Sequence, residues 1–168
     1  MKKKINIIFE EPRYGGPQNH FFCINDILKK KFELTYFLNN KWSSYFSKKF
    51  SNSKIRVKKI KINQLEKNIK KIFYYFFFFI SDIYQIKRLV SRNNPDLIHV
   101  LGGVYSIKSF IASILTKKKT IWHVTDTYSP LILRIFFKFL YRKSSGLIFA
   151  SKKSRLYYLG ASRFKNTI

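Results

Sequence analysis

Six short runs of aliphatic, β-branched and aromatic residues, separated by longer stretches with helical spacing, constrain this chain more than any other feature. Such alternation builds strand–helix–strand units, which join their strands in parallel. The runs predict strands over 4–9, 33–38, 55–62, 97–101, 120–124 and 147–150, and several are continuously apolar, as strands covered on both faces are. The stretches between them predict helices over 18–31, 64–92, 105–115, 130–142 and 152–159. The chain therefore reads as an α/β domain with a mostly parallel sheet. Its third run differs, because the adjacent Lys58 and Lys59 break the alternation and fit a bulge or an edge position. Pro95 closes the second helix, Ser129-Pro130 precedes the fourth, and Ser151 is placed as a cap directly after the sixth strand.

At 168 residues, 46% of them hydrophobic and 18% aromatic, the chain has enough apolar surface for one core and too little length for two. Lys and Arg number 34 against 8 Asp and Glu, a formal charge of +26, so an acidic ligand or partner is expected. The AT-rich codons shared by Lys, Asn, Ile, Phe and Tyr are an alternative source of that bias. With one cysteine, Cys23, an internal disulfide and a cysteine-based metal cluster are excluded. No other metal-ligand spacing occurs, and neither metal nor cofactor is expected. The apolar start Ile5-Asn6-Ile7-Ile8-Phe9 is cut short by Glu10 and Glu11, unlike a signal peptide. The longest uncharged apolar run, Ile72 to Ile80, is about half the ~20 residues that cross a bilayer. The cytoplasm is the default compartment.

In doubly wound sheets ligands bind beyond the carboxyl ends of the strands, so the loops there are the informative ones. Gly15-Gly16 follows the first strand and precedes a helix; that arrangement holds phosphate on free N–H groups and is also common in plain turns. It lacks the third glycine of the dinucleotide fingerprint, and the chain has no Gly-Lys-Ser/Thr P-loop, which removes the main support for nicotinamide or ATP chemistry. His20 opens the first helix. His99 lies inside the fourth strand, where a histidine is usually a satisfied core residue, whereas His123 ends the fifth, close to Thr125 and Asp126. One His and one Asp without a nucleophile motif suit hydrogen bonding to a polar substrate better than hydrolysis.

Within 65–90, Leu65, Ile69, Ile72, Phe73, Phe76, Ile80 and Ile83 form one helical stripe expected to face the core. Tyr74, Tyr75 and Phe78 fall on the other side with Lys67, Lys70 and Lys71, which fits the interfacial zone of an anionic membrane, or else contact with another subunit or domain. A nucleic-acid surface would instead interleave aromatics with basic residues on an exposed sheet.

Four segments in order resemble the N-terminal, acceptor-side half of a retaining GT-B-fold glycosyltransferase of family 4. They are Ile7-Ile8-Phe9 through Tyr14-Gly15-Gly16, Asn94-Pro95-Asp96-Leu97-Ile98-His99-Val100-Leu101-Gly102-Gly103, Ile121-Trp122-His123-Val124-Thr125-Asp126, and Gly146-Leu147-Ile148-Phe149-Ala150-Ser151. The resemblance spans residues 1–168 as a single three-layer, Rossmann-like domain and implies that the family's C-terminal donor-binding domain is absent. It implies a hexosyltransferase-like reaction in polysaccharide biosynthesis, moving a sugar from a nucleotide-sugar donor to a cell-surface glycan or lipid-linked acceptor, with the half-enzyme inactive alone. Gly15 and Gly16 would lie near the donor diphosphate, His123 would act on the transferred sugar as the catalytic residue, and His20, Gly102, Gly103 and Asp126 would line the cleft. Asp126 departs from the family pattern, with two residues between it and His123. A separate donor-domain subunit is an implied partner. Together with the lysine-flanked aromatics, this places the protein in the cytoplasm, peripheral on the inner face of the membrane. Two other classes remain alongside: a non-catalytic subunit that anchors a separate donor-domain protein to the membrane, and a basic nucleic-acid-binding domain, for which no recognition fold is visible.

Overall fold

The computed structural model describes residues 2–10, 16–40, 55–65 and 68–160. Their six strands, β1 (Lys3–Phe9), β2 (Phe32–Asn39), β3 (Arg56–Ile60), β4 (Leu97–Leu101), β5 (Lys119–Val124) and β6 (Gly146–Phe149), form one sheet of order β3-β2-β1-β4-β5-β6. Every neighbouring pair is parallel. Each expected strand is present, its ends within two residues of the apolar run that specifies it. β3 is an edge strand that pairs with β2 in unbroken register from Thr35↔Arg56 to Asn39↔Ile60, so Lys58 and Lys59 mark an edge, with no bulge.

Among the described residues six α-helices accompany the sheet: α1 (Gly16–Lys31), α2 (Ile69–Phe77), α3 (Phe79–Ser91), α4 (Ile107–Ile114), α5 (Leu131–Leu140) and α6 (Lys152–Leu159). Caps set several of their ends. Ser151 accepts a hydrogen bond from the Ser154 N–H at 3.0 Å and starts α6, and Asn68 caps α2 by accepting from the Lys70 N–H. Beyond α3, Asn94 adopts a left-handed backbone with φ of 41° ahead of Pro95 and turns the chain into β4. Pro130 itself is the cap residue of α5, one position earlier than its fixed φ would suggest.

Side chains of alternate strand positions build two cores. On one face Ile8, Phe37, Val100, Trp122 and Leu147 pack under α3 to α6, with the Phe110 ring stacked on Trp122 at 4.0 Å. On the other, Ile5, Ile7, Leu34 and Tyr36 pack under Ile24 and Leu28 of α1, and the Tyr36 hydroxyl donates to Asn25 Oδ1 at 2.8 Å.

The expected 64–92 helix is two helices broken at Phe78, and its phase differs from the sequence expectation. Tyr75, assigned to the outer face, is only 3% exposed, while Ile69, Phe73, Phe76 and Ile80 of the supposed core stripe are exposed; of that stripe only Ile83 is buried, with Leu65 partly so. The residues turned inward are Tyr75, Asp82, Ile83, Ile86 and Val90. A buried ion pair dictates this phase. Lys108 of α4, fully buried, places its ammonium 2.6 Å from Asp82 Oδ2, donates to the Asn63 carbonyl at 2.9 Å, and lies 3.8 Å from the centre of the Tyr75 ring. Rotating the helices to bury the aliphatic stripe would strip Lys108 of both its carboxylate and its aromatic partner, leaving an uncompensated charge in the core.

Candidate active site

The sheet reverses direction of build between β1 and β4, and ligands of such sheets bind at that switch, beyond the carboxyl ends of the strands. β1 ends in Phe9 and β4 in Leu101, paired with one another, so Glu10 and Gly102 leave the sheet side by side at the switch. On the β1 side α1 begins at Gly16 with no acidic residue in its first turn, so its N-terminal N–H groups are uncompensated by the helix itself. Gly15 and the side chain of His20 lie outside the described residues, as does Lys67.

Gly102 and Gly103 follow β4 directly, with φ of 115° and 65°, conformations in which a side chain is strained. Gly103 also has no room for one, since a Cβ there would overlap the Asp126 carboxylate. Asp126 holds this turn: its carboxylate accepts from the Val104 N–H at 3.2 Å, and its carbonyl accepts from the Ser154 hydroxyl at 2.6 Å. The Trp122 indole donates to the Gly103 carbonyl at 3.0 Å from below. The structure thus brings Gly102, Gly103 and Asp126 together, and the visible work of Asp126 is to fix the glycine turn.

His123 lies on the opposite face of β5 from Trp122, partly buried. Its ring stacks on that of His99 at 5.6 Å and 22°. His99 therefore shares a sheet face with His123, a neighbour that its reading as a satisfied core residue of the fourth strand did not include. Desolvation first, and the neighbouring His123 second, hold His99 down at a pKa of about 3, so it is neutral across the physiological range.

Sequence reasoning passed over Glu10, the residue that directly follows β1. It is 2% exposed; its Oε2 accepts from the Ser109 N–H at 3.0 Å, and its backbone carbonyl accepts from Gln64 and Asn39 side chains. Oε1 has no partner among the described residues. Burial pushes its carboxyl up to about 7, against the opposing pull of the Ser109 hydrogen bonds and Lys108. Position was the available signal, a carboxylate at the carboxyl end of the strand beside the switch.

No protein-family model matches the chain, and no curated protein resembles it closely enough in sequence to be recognised. Solved structures do match. A glycosyltransferase from Rickettsia africae aligns with a TM-score of 0.69 at 13% identity, covering 99% of this chain and 42% of its own. Anabaena HepE in complex with UDP and glucose aligns at 0.67 and 16% identity, over 99% of this chain and 43% of HepE. This chain has the fold of one Rossmann-like half of a GT-B protein. The same half-fold occurs in a putative UDP-N-acetylglucosamine 2-epimerase from Listeria monocytogenes, at a TM-score of 0.69 and 15% identity over 98% of this chain and 43% of that one. The chain spans less than half the length of each of these GT-B proteins, and in it the half-fold's carboxyl edge carries the glycine turn, Asp126 and the histidine pair.

Proposed function

We propose that this chain supplies the acceptor-side half of a glycosyltransferase that moves a sugar from a nucleoside-diphosphate donor to a hydroxyl of a glycan or lipid-linked acceptor. The observation that carries the reading is the Gly102-Gly103 turn, held by Asp126 at the switch point beside His123. Backbone N–H groups at Gly15 and at Gly16, where α1 starts, stabilise negative charge as the bond from the sugar's anomeric carbon to the diphosphate breaks. His123 hydrogen-bonds the sugar, Gly102 and Gly103 line the cleft with His20, and Asp126 keeps the turn open. HepE, which contains the same half-fold and whose structure is a complex with UDP and glucose, supports a nucleotide sugar as the donor.

The test pairs two substitutions in the assembled enzyme, the chain together with its donor-binding half. His123→Ala removes a charge-stabilising contact and should cut turnover by a factor on the order of 10² with little change in melting temperature. His99→Ala should lower stability by about 1 to 3 kcal/mol through unsatisfied partners. Unfolding by His123→Ala, with a well-folded but inactive His99→Ala, would reverse the two roles. A second reading, a non-catalytic subunit anchoring the donor half to a membrane, is favoured by exposed apolar side chains on α2 and α5; it requires turnover to be indifferent to His123.

A further inference from the structure

The helices that join strands built in the same direction across a parallel sheet lie on one face, because their crossovers share one hand. α2–α3 and α5 are such a pair, joining β3 to β4 and β5 to β6. Their inward residues enter one core, Ile83 and Ile86 from α3 and Phe137 from α5. Their outward sides therefore look away from the sheet in the same direction, and both are apolar. On α2–α3 Phe73, Phe77 and Ile80 are exposed, with the two phenylalanine rings stacked at 5.9 Å. On α5 Ile132, Phe136 and Phe139 repeat the same spacing, with Phe139 76% exposed. Scattered exposed apolar residues need no explanation; two rows on one layer do.

Charge identifies the occupant. Across α2–α3 and α5 the only acidic residue is Asp82, and it is buried against Lys108. The exposed ionisable groups on and beside the rows are cationic: Lys70, Lys71 and Arg88 on one, Lys138, Arg142 and Lys143 on the other. Among the described residues, two copies of this surface placed together would set cation against cation with no exposed carboxylate on these helices between them, which opposes self-association. Phenylalanine-rich rows edged with lysine and arginine match the headgroup zone of an anionic bilayer. Among the described residues no helix is long and apolar enough to cross a membrane, so such a surface lies along the bilayer.

We propose that the outer sides of α2–α3 and α5 form a single docking surface for an anionic lipid bilayer. Docked this way, one helical layer, about 10 Å thick, separates the sheet from the lipid, and the carboxyl edge with its glycine turn stands on the flank near the membrane surface. The surface exists whether or not the chain transfers sugar, and its test is independent of turnover.

Sedimentation with vesicles of phosphatidylcholine alone, or mixed with phosphatidylglycerol, measures it on the whole chain. Binding should be roughly tenfold or more stronger to the mixed vesicles and should fall steeply with added salt. The triple variants Phe73→Ser, Phe77→Ser, Ile80→Ser and Ile132→Ser, Phe136→Ser, Phe139→Ser replace exposed residues only, so thermal melts should match the parent while each loses about tenfold in lipid binding. Equal partition to neutral and anionic vesicles would overturn the proposal. So would lipid binding unchanged in either triple variant, or a dimer in sedimentation velocity that the same substitutions dissolve.

Discussion

Glu10 converts burial into a pH dependence. With its carboxyl pushed from an ordinary 4.5 to about 7, the folded protein holds the proton more tightly than the unfolded chain does. Below pH 4.5 both states are protonated and the group costs nothing; as pH rises through 7 the fold must hold a buried, poorly compensated charge, and stability is lost across that window. Glu10→Gln should therefore match the parent at acid pH and exceed it by about 3 kcal/mol at pH 8, since each tenfold difference in proton affinity between the folded and unfolded chain is worth ~1.4 kcal/mol. Denaturant titrations of both proteins at the two pH values check this; a difference independent of pH would contradict it. His99 has the opposite sign, since its depressed pKa means that stability present above 6.5 is lost as pH falls toward 3. At Gly103 the expectation is steric. Gly103→Ala drives a methyl into the Asp126 carboxylate on a backbone with φ of 65°, so the turn must move, at a cost of roughly 1 to 3 kcal/mol. A crystal structure or melt of that variant indistinguishable from the parent would refute this role of the turn.

Among the elements, the strands were legible and the long helical segment was not. A parallel strand buried on both faces is a continuous apolar run, and nothing in β4's Leu97 to Leu101 competes with that reading. The segment Ile72 to Ile80 is also continuously apolar, but a helix takes its phase from the contrast between apolar and polar positions, and nine uncharged residues in a row carry no contrast. The phase came instead from Lys108 and Asp82, two charges that sequence reasoning places at the surface and that are distant in the chain. For the same reason Glu10 was legible as a position and not as a buried group. The pair's weight is measurable. Lys108→Met leaves Asp82 buried without its cation and should cost about 3 to 5 kcal/mol, while Lys108→Met combined with Asp82→Leu should recover most of that loss, as when a whole buried ion pair is replaced by apolar side chains. Equilibrium unfolding of the single and double variants decides; an additive double variant would mean that the pair does not set the packing of α2–α3 on α4.

At the scale of the molecule, a sequence only 13–16% identical to the Rickettsia africae glycosyltransferase and to HepE retains their half-fold over 99% of its length, because the strand order and the two apolar faces survive large changes of side chain. What the ordered segments foretold was the edge of the sheet where chemistry is expected, with Gly102, Gly103 and Asp126 gathered there; the pairing of His99 with His123 depended on strand register, which local pattern does not carry. One half of a cleft encloses too little of a nucleotide sugar for strong binding, since good sites bury most of their ligand. The central claim is therefore tested most directly by titrating UDP-glucose into the isotope-labelled 168-residue chain and following its amide and imidazole NMR signals. Binding should be weak, on the order of millimolar, with shifts concentrated at Gly16, Gly102, Gly103 and His123. Saturation at micromolar ligand, or shifts that leave these residues untouched and gather elsewhere, would contradict it.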